Sequence, residues 1–149
     1  MSDLSQFTEG SGFRTVIGDV VERDDAKVKR IVLCAGQVYY DLAAGRKERG
    51  LEEEVAIVRV EQLYPFPYEV LAAELSRYAN ATEIMWVQEE PKNQGAWYQI
   101  RHRIEAVSTD KQKVLFAGRS ASASPAVGYM SKHAAQLKAL IDDTFNLEP

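Results

Sequence analysis

Apolar and polar residues fall into repeating blocks along this chain. Short β-branched runs are each followed by a longer segment whose apolar residues recur every three or four positions. The first block, Val28-Lys29-Arg30-Ile31-Val32-Leu33-Cys34, predicts a strand ended by Ala35-Gly36. Gln37 to Arg49 predicts a helix with Val38, Leu42 and Tyr39 toward the core, and Gly50 is a good stop. Val55 to Val60 predicts a second strand, and its near-continuous apolar character implies burial on both faces, as in a parallel sheet. Tyr64-Pro65-Phe66-Pro67 predicts a rigid turn. Pro67 suits the first turn of the next helix, where its missing N–H costs little. That helix should run to about Tyr78, with Val70, Leu71 and Leu75 on one side and Asn80 ending it.

The run Glu83-Ile84-Met85-Trp86-Val87 predicts a third strand, which meets Gln88-Glu89-Glu90-Pro91-Lys92-Asn93-Gln94 and should stop there in a tight polar loop. The helix after Gly95 carries Trp97, Ile100 and Ile104 at helical spacing. Lys113 to Ala117 predicts a fourth strand ended by Gly118-Arg119. The last helix, about Tyr129 to Phe145, places Met130, His133, Leu137, Leu140 and Ile141 at core spacing. Upstream, Phe13 to Ile17 suits a short edge strand and Gly18 to Lys27 a charged turn region. Residues 1–12 read as a linker or added arm, and Ser120 to Ala126 as a low-complexity loop. This alternation predicts a single three-layer α/β domain over residues 13–149. It has a mostly parallel four- to five-stranded sheet with helices on both faces.

Composition narrows the function. The 149 residues suffice for one domain with a real core. A net charge of −4 gives no electrostatic footprint for nucleic acid. No apolar stretch approaches the roughly 20 residues of a membrane span. Cys34 is the single cysteine, so no internal disulfide forms, and its place in a strand suits a buried thiol.

In open α/β sheets, ligands sit at the carboxyl ends of the strands. Here that edge gathers Gln37, Glu61, Gln62, Gln88, Glu89, Glu90 and Arg119. Glu89 and Glu90 are adjacent, so on an extended strand they point to opposite faces and make a poor acid/base pair. The plainer expectation is that one caps the following helix or pairs with Arg119 while the other is solvated. His102 and His133 fit no metal-ligand spacing, and the apolar stripe of the last helix puts His133 in the core or at an interface. Val114 to Ser120 has neither a Walker pattern nor a G-x-G-x-x-G, although Arg119 at the strand end suits an anion. From the residues themselves this is an α/β binding or assembly domain with a polar edge and no complete catalytic constellation.

Four stretches carry a resemblance: Val32 to Leu42, Ala56 to Pro67, Gln88 to Trp97, and Ala117 to Gly128. Together they resemble the C-terminal region of the 2-oxoglutarate dehydrogenase E1 family, in order and at matching spacing over nearly the whole chain. The detail around Gln88 to Trp97 argues against the pyruvate or branched-chain type. The resemblance implies a fold of the transketolase C-terminal type. It also implies a homodimeric parent oxidoreductase of the tricarboxylic acid cycle that uses thiamine diphosphate and Mg2+, decarboxylates 2-oxoglutarate and passes succinyl to the lipoyl group of E2. The family's diphosphate motif, Gly-Asp-Gly followed by Asn, is absent here. No catalytic, cofactor-binding or metal residue is therefore carried over, and this chain by itself should be inactive.

The implied partners are the preceding domains of the same chain, the second E1 subunit and, through the parent, the E2 succinyltransferase, with no nucleic acid or membrane. The implied place is the cytoplasm of a bacterium or the matrix of a mitochondrion. Tyr39, Tyr40, Trp97 and Tyr98 suit interdomain or dimer contacts or, equally, the domain's own core, with Glu89, Glu90 and Gln94 beside them at the possible interface. The alternative is a stand-alone regulatory module of the same fold that binds a nucleotide or acyl-CoA type anion near Arg119.

Overall fold

The computed structural model describes residues 12–120 and 130–147. The arm at 1–11 and most of the Ser/Ala-rich stretch after Ser120 lie outside them. One sheet holds β1 (Val16–Ile17), β2 (Arg30–Cys34), β3 (Val55–Val60), β4 (Glu83–Pro91) and β5 (Lys113–Arg119), in the order β1-β3-β2-β4-β5. β1 runs antiparallel to β3, and the other pairings are parallel. The helices are α1 (Val38–Glu48), α2 (Tyr68–Ser76), α3 (Trp97–Val107) and α4 (Met130–Phe145). None of the described helices is long and apolar enough to cross a membrane.

The near-continuous apolar strands are needed because both faces are covered. Successive side chains of a strand point to opposite faces. Ile31, Leu33, Ala56, Val58, Ile84 and Trp86 pack with Leu71 and Leu75 of α2 and with Ile100 and Ile104 of α3. Val32, Cys34, Val55, Ile57, Met85 and Val87 pack with Val38 and Leu42 of α1 and with Leu140, Ile141 and Phe145 of α4. α1 and α4 approach closely at Gly45, where an added Cβ would lie 2.6 Å from Ile141 Cγ2. Gly50, at φ +65°, ends α1 as its sequence predicts.

The charged region 18–27 is part of the core assembly. β1 has only two residues, so most of β3's outer edge has no neighbouring strand. Asp19 takes that place: its Oδ2 accepts the Ile57 N–H at 2.8 Å. Arg46 of α1 donates to the Val55 carbonyl at 2.9 Å and pairs with Asp19. Arg23 donates to Asp19 and to the Glu52 carbonyl, each at 2.7 Å. The side chains of Asp19 and Arg23 are wholly buried, and that of Arg46 nearly so. A carboxylate and a guanidinium thus continue the ladder where a strand would, closing an edge that would otherwise invite pairing. Burial pushes the Asp19 carboxyl up. The hydrogen bonds from Arg46, Ile57 N–H and Arg23 outweigh it, and the net direction is down.

Several expectations need correction. β4 does not stop at Val87 in a tight loop. It runs through Gln88-Glu89-Glu90 to Pro91 with a register shift, because it pairs again with β5 at Arg119. Val70 is exposed: α2 buries only Leu71 and Leu75, and one residue back along a helix lies about 100° off that stripe. α2 ends at Ser76, and Asn80 instead donates its amide to the Ala26 carbonyl at 2.9 Å. Met130 and His133 are exposed despite their core spacing, because α4 buries only Leu140, Ile141, Thr144 and Phe145 in its second half.

Candidate functional site

The chain passes from β2 to β3 on one side, then crosses to β4 and β5 on the other. The order therefore reverses between the carboxyl ends of β2 and β4. Ligands of open α/β sheets favour that crevice. Its walls here are the Ala35-Gly36-Gln37 turn, with Gly36 at φ +72°, and the segment from Gln88 to Gly95.

Gln88 is a structural lock. It is 3% exposed, and its Oε1 accepts the Trp86 indole N–H at 2.9 Å. Its Nε2 donates to the carbonyls of Gln94 at 2.7 Å, Pro91 at 3.0 Å and Glu90 at 3.3 Å. Gly95 (φ +70°) lets the chain close over this amide, since a Cβ there would lie 3.1 Å from it. Both ends of the Gln88 amide are thus engaged in shaping the turn.

Glu89 is half-buried and Glu90 exposed. Burial pushes the Glu89 carboxyl up; Asp41 of α1 adds to this, His133 of α4 opposes it, and Glu90 adds again. Neither glutamate forms an ion pair with Arg119 or caps α3, whose N-cap Ala96 has no side-chain bond. The expected cap or ion pair thus does not form at Glu89, while Glu90 is solvated as expected. Glu61 pairs with Arg59 at 2.9 Å, and the Arg59 guanidinium lies 4.8 Å over the Tyr39 ring. Tyr39 meets Tyr40 edge-on at 5.3 Å. The Gln62 amide donates to the Pro65 carbonyl at 2.8 Å, and Gln37 is exposed. Arg119 is half-buried, and its carbonyl accepts the Lys92 N–H at 3.0 Å. Cys34 ends β2 as a buried thiol, pushed up to about 12 chiefly by burial, which leaves it no thiolate for chemistry.

The anchors suggested by sequence separate on burial. Trp97 is 4% exposed and its ring meets Phe116 at 5.0 Å, so it serves the domain's own core. Gln94 is half-buried, with its carbonyl held by Gln88. Tyr40 and Tyr98 are exposed, and they have company. Of the eight exposed large apolar residues among the described ones, six sit at the carboxyl edge: Phe13, Tyr40, Tyr64, Tyr68, Tyr98 and Met130. Topology gathers them. Every helix begins where a parallel strand ends, and Phe13 enters antiparallel β1 from the same end. The signal in the sequence was an aromatic residue at or just before the start of successive helices. The opposite edge is different in kind, with exposed lysines already matched in the Lys27–Glu53 and Lys29–Glu54 pairs.

The family model described as "2-oxoglutarate dehydrogenase C-terminal" matches residues 1–145. A relative from Cupriavidus necator, named 2-oxoglutarate dehydrogenase E1 component, is 54% identical over 145 residues, covering 97% of this chain and 15% of the relative. Relatives of the same name from Haemophilus influenzae and Azotobacter vinelandii are 49% and 48% identical, over 98% and 99% of this chain and 15% and 16% of their own lengths. The chain therefore spans only 15–16% of the length of these relatives. On the family match and this coverage, the chain belongs to the 2-oxoglutarate dehydrogenase C-terminal family.

Proposed function

We propose that this domain closes a 2-oxoglutarate dehydrogenase E1 component and serves assembly rather than chemistry. One observation carries the reading. The edge where an α/β domain would place a site bears exposed aromatics at its helix starts, and its buried polar side chain, Gln88, holds the turn through both ends of its amide. Tyrosine and other amphipathic aromatics are favoured anchors of protein contacts. The parent reaction is the oxidative decarboxylation of 2-oxoglutarate with transfer of succinyl to the lipoyl group of E2, supported by thiamine diphosphate and Mg2+.

That cofactor does not fit this domain. Asp41 and Glu89 put carboxylates near the crevice, where a diphosphate is repelled unless a cation bridges them, and among the described residues no three His, Cys, Asp or Glu side chains are grouped to hold that cation. Cofactor and catalytic groups therefore belong to the rest of the parent, and the partners of the aromatic edge are its other domains and the second subunit. The bacterial sources of the relatives support a cytoplasmic setting. The family match favours this reading over a free-standing anion-binding module at Arg119.

The test pairs two preparations. In the isolated chain, Tyr64→Glu with Tyr98→Glu should leave unfolding within about 0.5 kcal/mol of the parent sequence, since both rings are exposed. In the full-length enzyme the same pair should weaken assembly at least about tenfold, because each anchor contributes about 1 kcal/mol or more. Intact assembly in the double variant would refute the role assigned to this edge. Reduction of ferricyanide by the isolated chain, given 2-oxoglutarate, thiamine diphosphate and Mg2+, would refute the division of labour.

A further inference from the structure

The two edges of the sheet are finished differently. On the β3 side, β1 and the Asp19–Arg46 pair occupy the outward backbone groups. On the other side, β5 pairs with β4 from Lys113 to Ala117 and again at Arg119, and among the described residues no strand adjoins its outer edge. In a strand paired on one side, backbone N–H and C=O groups of alternate residues point to the open side. The side chains tell the same story. Val114, Leu115 and Phe116 lie on both faces of β5, and all three are only half-buried. Their cross-strand neighbours Ile84, Met85 and Trp86 are buried. The open edge thus offers hydrogen-bonding groups flanked by apolar surface above and below.

A cation stands at each end. Lys113 begins β5, and its cross-strand neighbour Glu83 is held by Arg30 at 2.6 Å, which leaves Lys113 no carboxylate of its own among the described residues. Lys92 is tied by its backbone to the far end of β5, and its ammonium lies 5.7 Å over the Phe116 ring. It too has no carboxylate partner among the described residues, in a chain whose net charge is −4.

The geometry points to β5 as the landing edge for an extended acidic segment of a partner protein, which adds to the sheet as a sixth strand. Main-chain bonds would supply affinity, and the apolar centre with its charged ends would set the register. A second copy of this chain suits the edge poorly. Antiparallel pairing of two β5 strands about Phe116 sets Lys113 opposite Arg119 at both ends, and like charges placed opposite each other are destabilising. A segment with an apolar centre and a carboxylate at each end meets Lys113 and Lys92 instead.

The experiment uses the 149-residue chain and a synthetic peptide of alternating valine and threonine with glutamates at both ends. At low salt the peptide should slow amide exchange across Val114 to Ala117. The same peptide N-methylated on alternate residues should not, because it cannot join the ladder. Lys92→Glu with Lys113→Glu, both exposed, should keep the fold, checked by circular dichroism, and weaken binding about tenfold. The proposal is overturned by silence at millimolar peptide, by equal binding of the N-methylated or a lysine-ended peptide, or by self-association that protects β5 without any peptide.

Discussion

Replacing Asp19 by alanine tests the buried charge cluster that closes the β3 edge. The substitution leaves the guanidiniums of Arg23 and Arg46 in place, with side chains 0% and 2% exposed, and removes the carboxylate between them. It also strips the Ile57 N–H of its acceptor. Removing one partner of a buried ion pair costs about 3–5 kcal/mol, because the remaining charge is buried without compensation. Domains of this size are stable by about 5–15 kcal/mol, so the loss is a large fraction of the whole. In thermal terms it corresponds to a fall of about 10–15 °C. Urea titration followed by tryptophan fluorescence and circular dichroism at pH 7 would read it.

The pH dependence supplies a second readout. The folded-state value of Asp19 lies below its ordinary 3.8, so its contribution is full above the ordinary carboxylate range and is lost as pH falls through the lowered value. The parent sequence should therefore lose stability over that acid window, and Asp19→Ala should lack this component. Arg46→Met together with Asp19→Ala should cost less than the sum of the two single changes. A loss under about 1 kcal/mol at pH 7, with an unchanged acid profile, would refute the account of the edge.

Three further substitutions or probes follow from the packing. Gln88→Leu removes the partner of the Trp86 indole and of three carbonyls, and should cost about 2–4 kcal/mol and open the 88–95 segment to limited proteolysis. Gly45→Ala should destabilise by about 1–3 kcal/mol in thermal denaturation despite alanine's higher helix propensity, because its Cβ would meet Ile141 at 2.6 Å and Phe145 at 3.4 Å. Cys34, with its thiol pushed up to about 12, should stay unlabelled by a disulfide reagent at pH 8 in the folded protein and react promptly in urea. Rapid labelling of the native protein would contradict its burial.

The sequence by itself determined the class of fold and the places of the strands. Ile31 to Cys34 and Val55 to Val60 are apolar at nearly every position, and only a strand covered on both faces requires that. Leu71 with Leu75, and Ile100 with Ile104, mark buried helix faces because four residues return to the same side of a helix. Gly50 and Gly95 ended or turned the chain where a positive φ was needed. These are local signals, written within one or two turns of chain. The four long family-like blocks were legible in the same way.

Tertiary structure alone decided which polar residues act together and which apolar ones stay bare. Asp19 meets Ile57 and Arg46, 38 and 27 residues away, and nothing in a charged turn region announces either partner. Gln88 reads as part of a polar loop, yet the second pairing of β4 with β5 at Arg119 carries the strand past it and turns its amide inward. Met130 and His133 have core spacing, but periodicity records only that a face is apolar, and no described element covers that end of α4. The same parallel topology collected Tyr40, Tyr64, Tyr68 and Tyr98 on one edge from three separate helix starts. A hydrophobic pattern fixes the face of an element, whereas its neighbour is fixed by contacts between residues far apart in the chain.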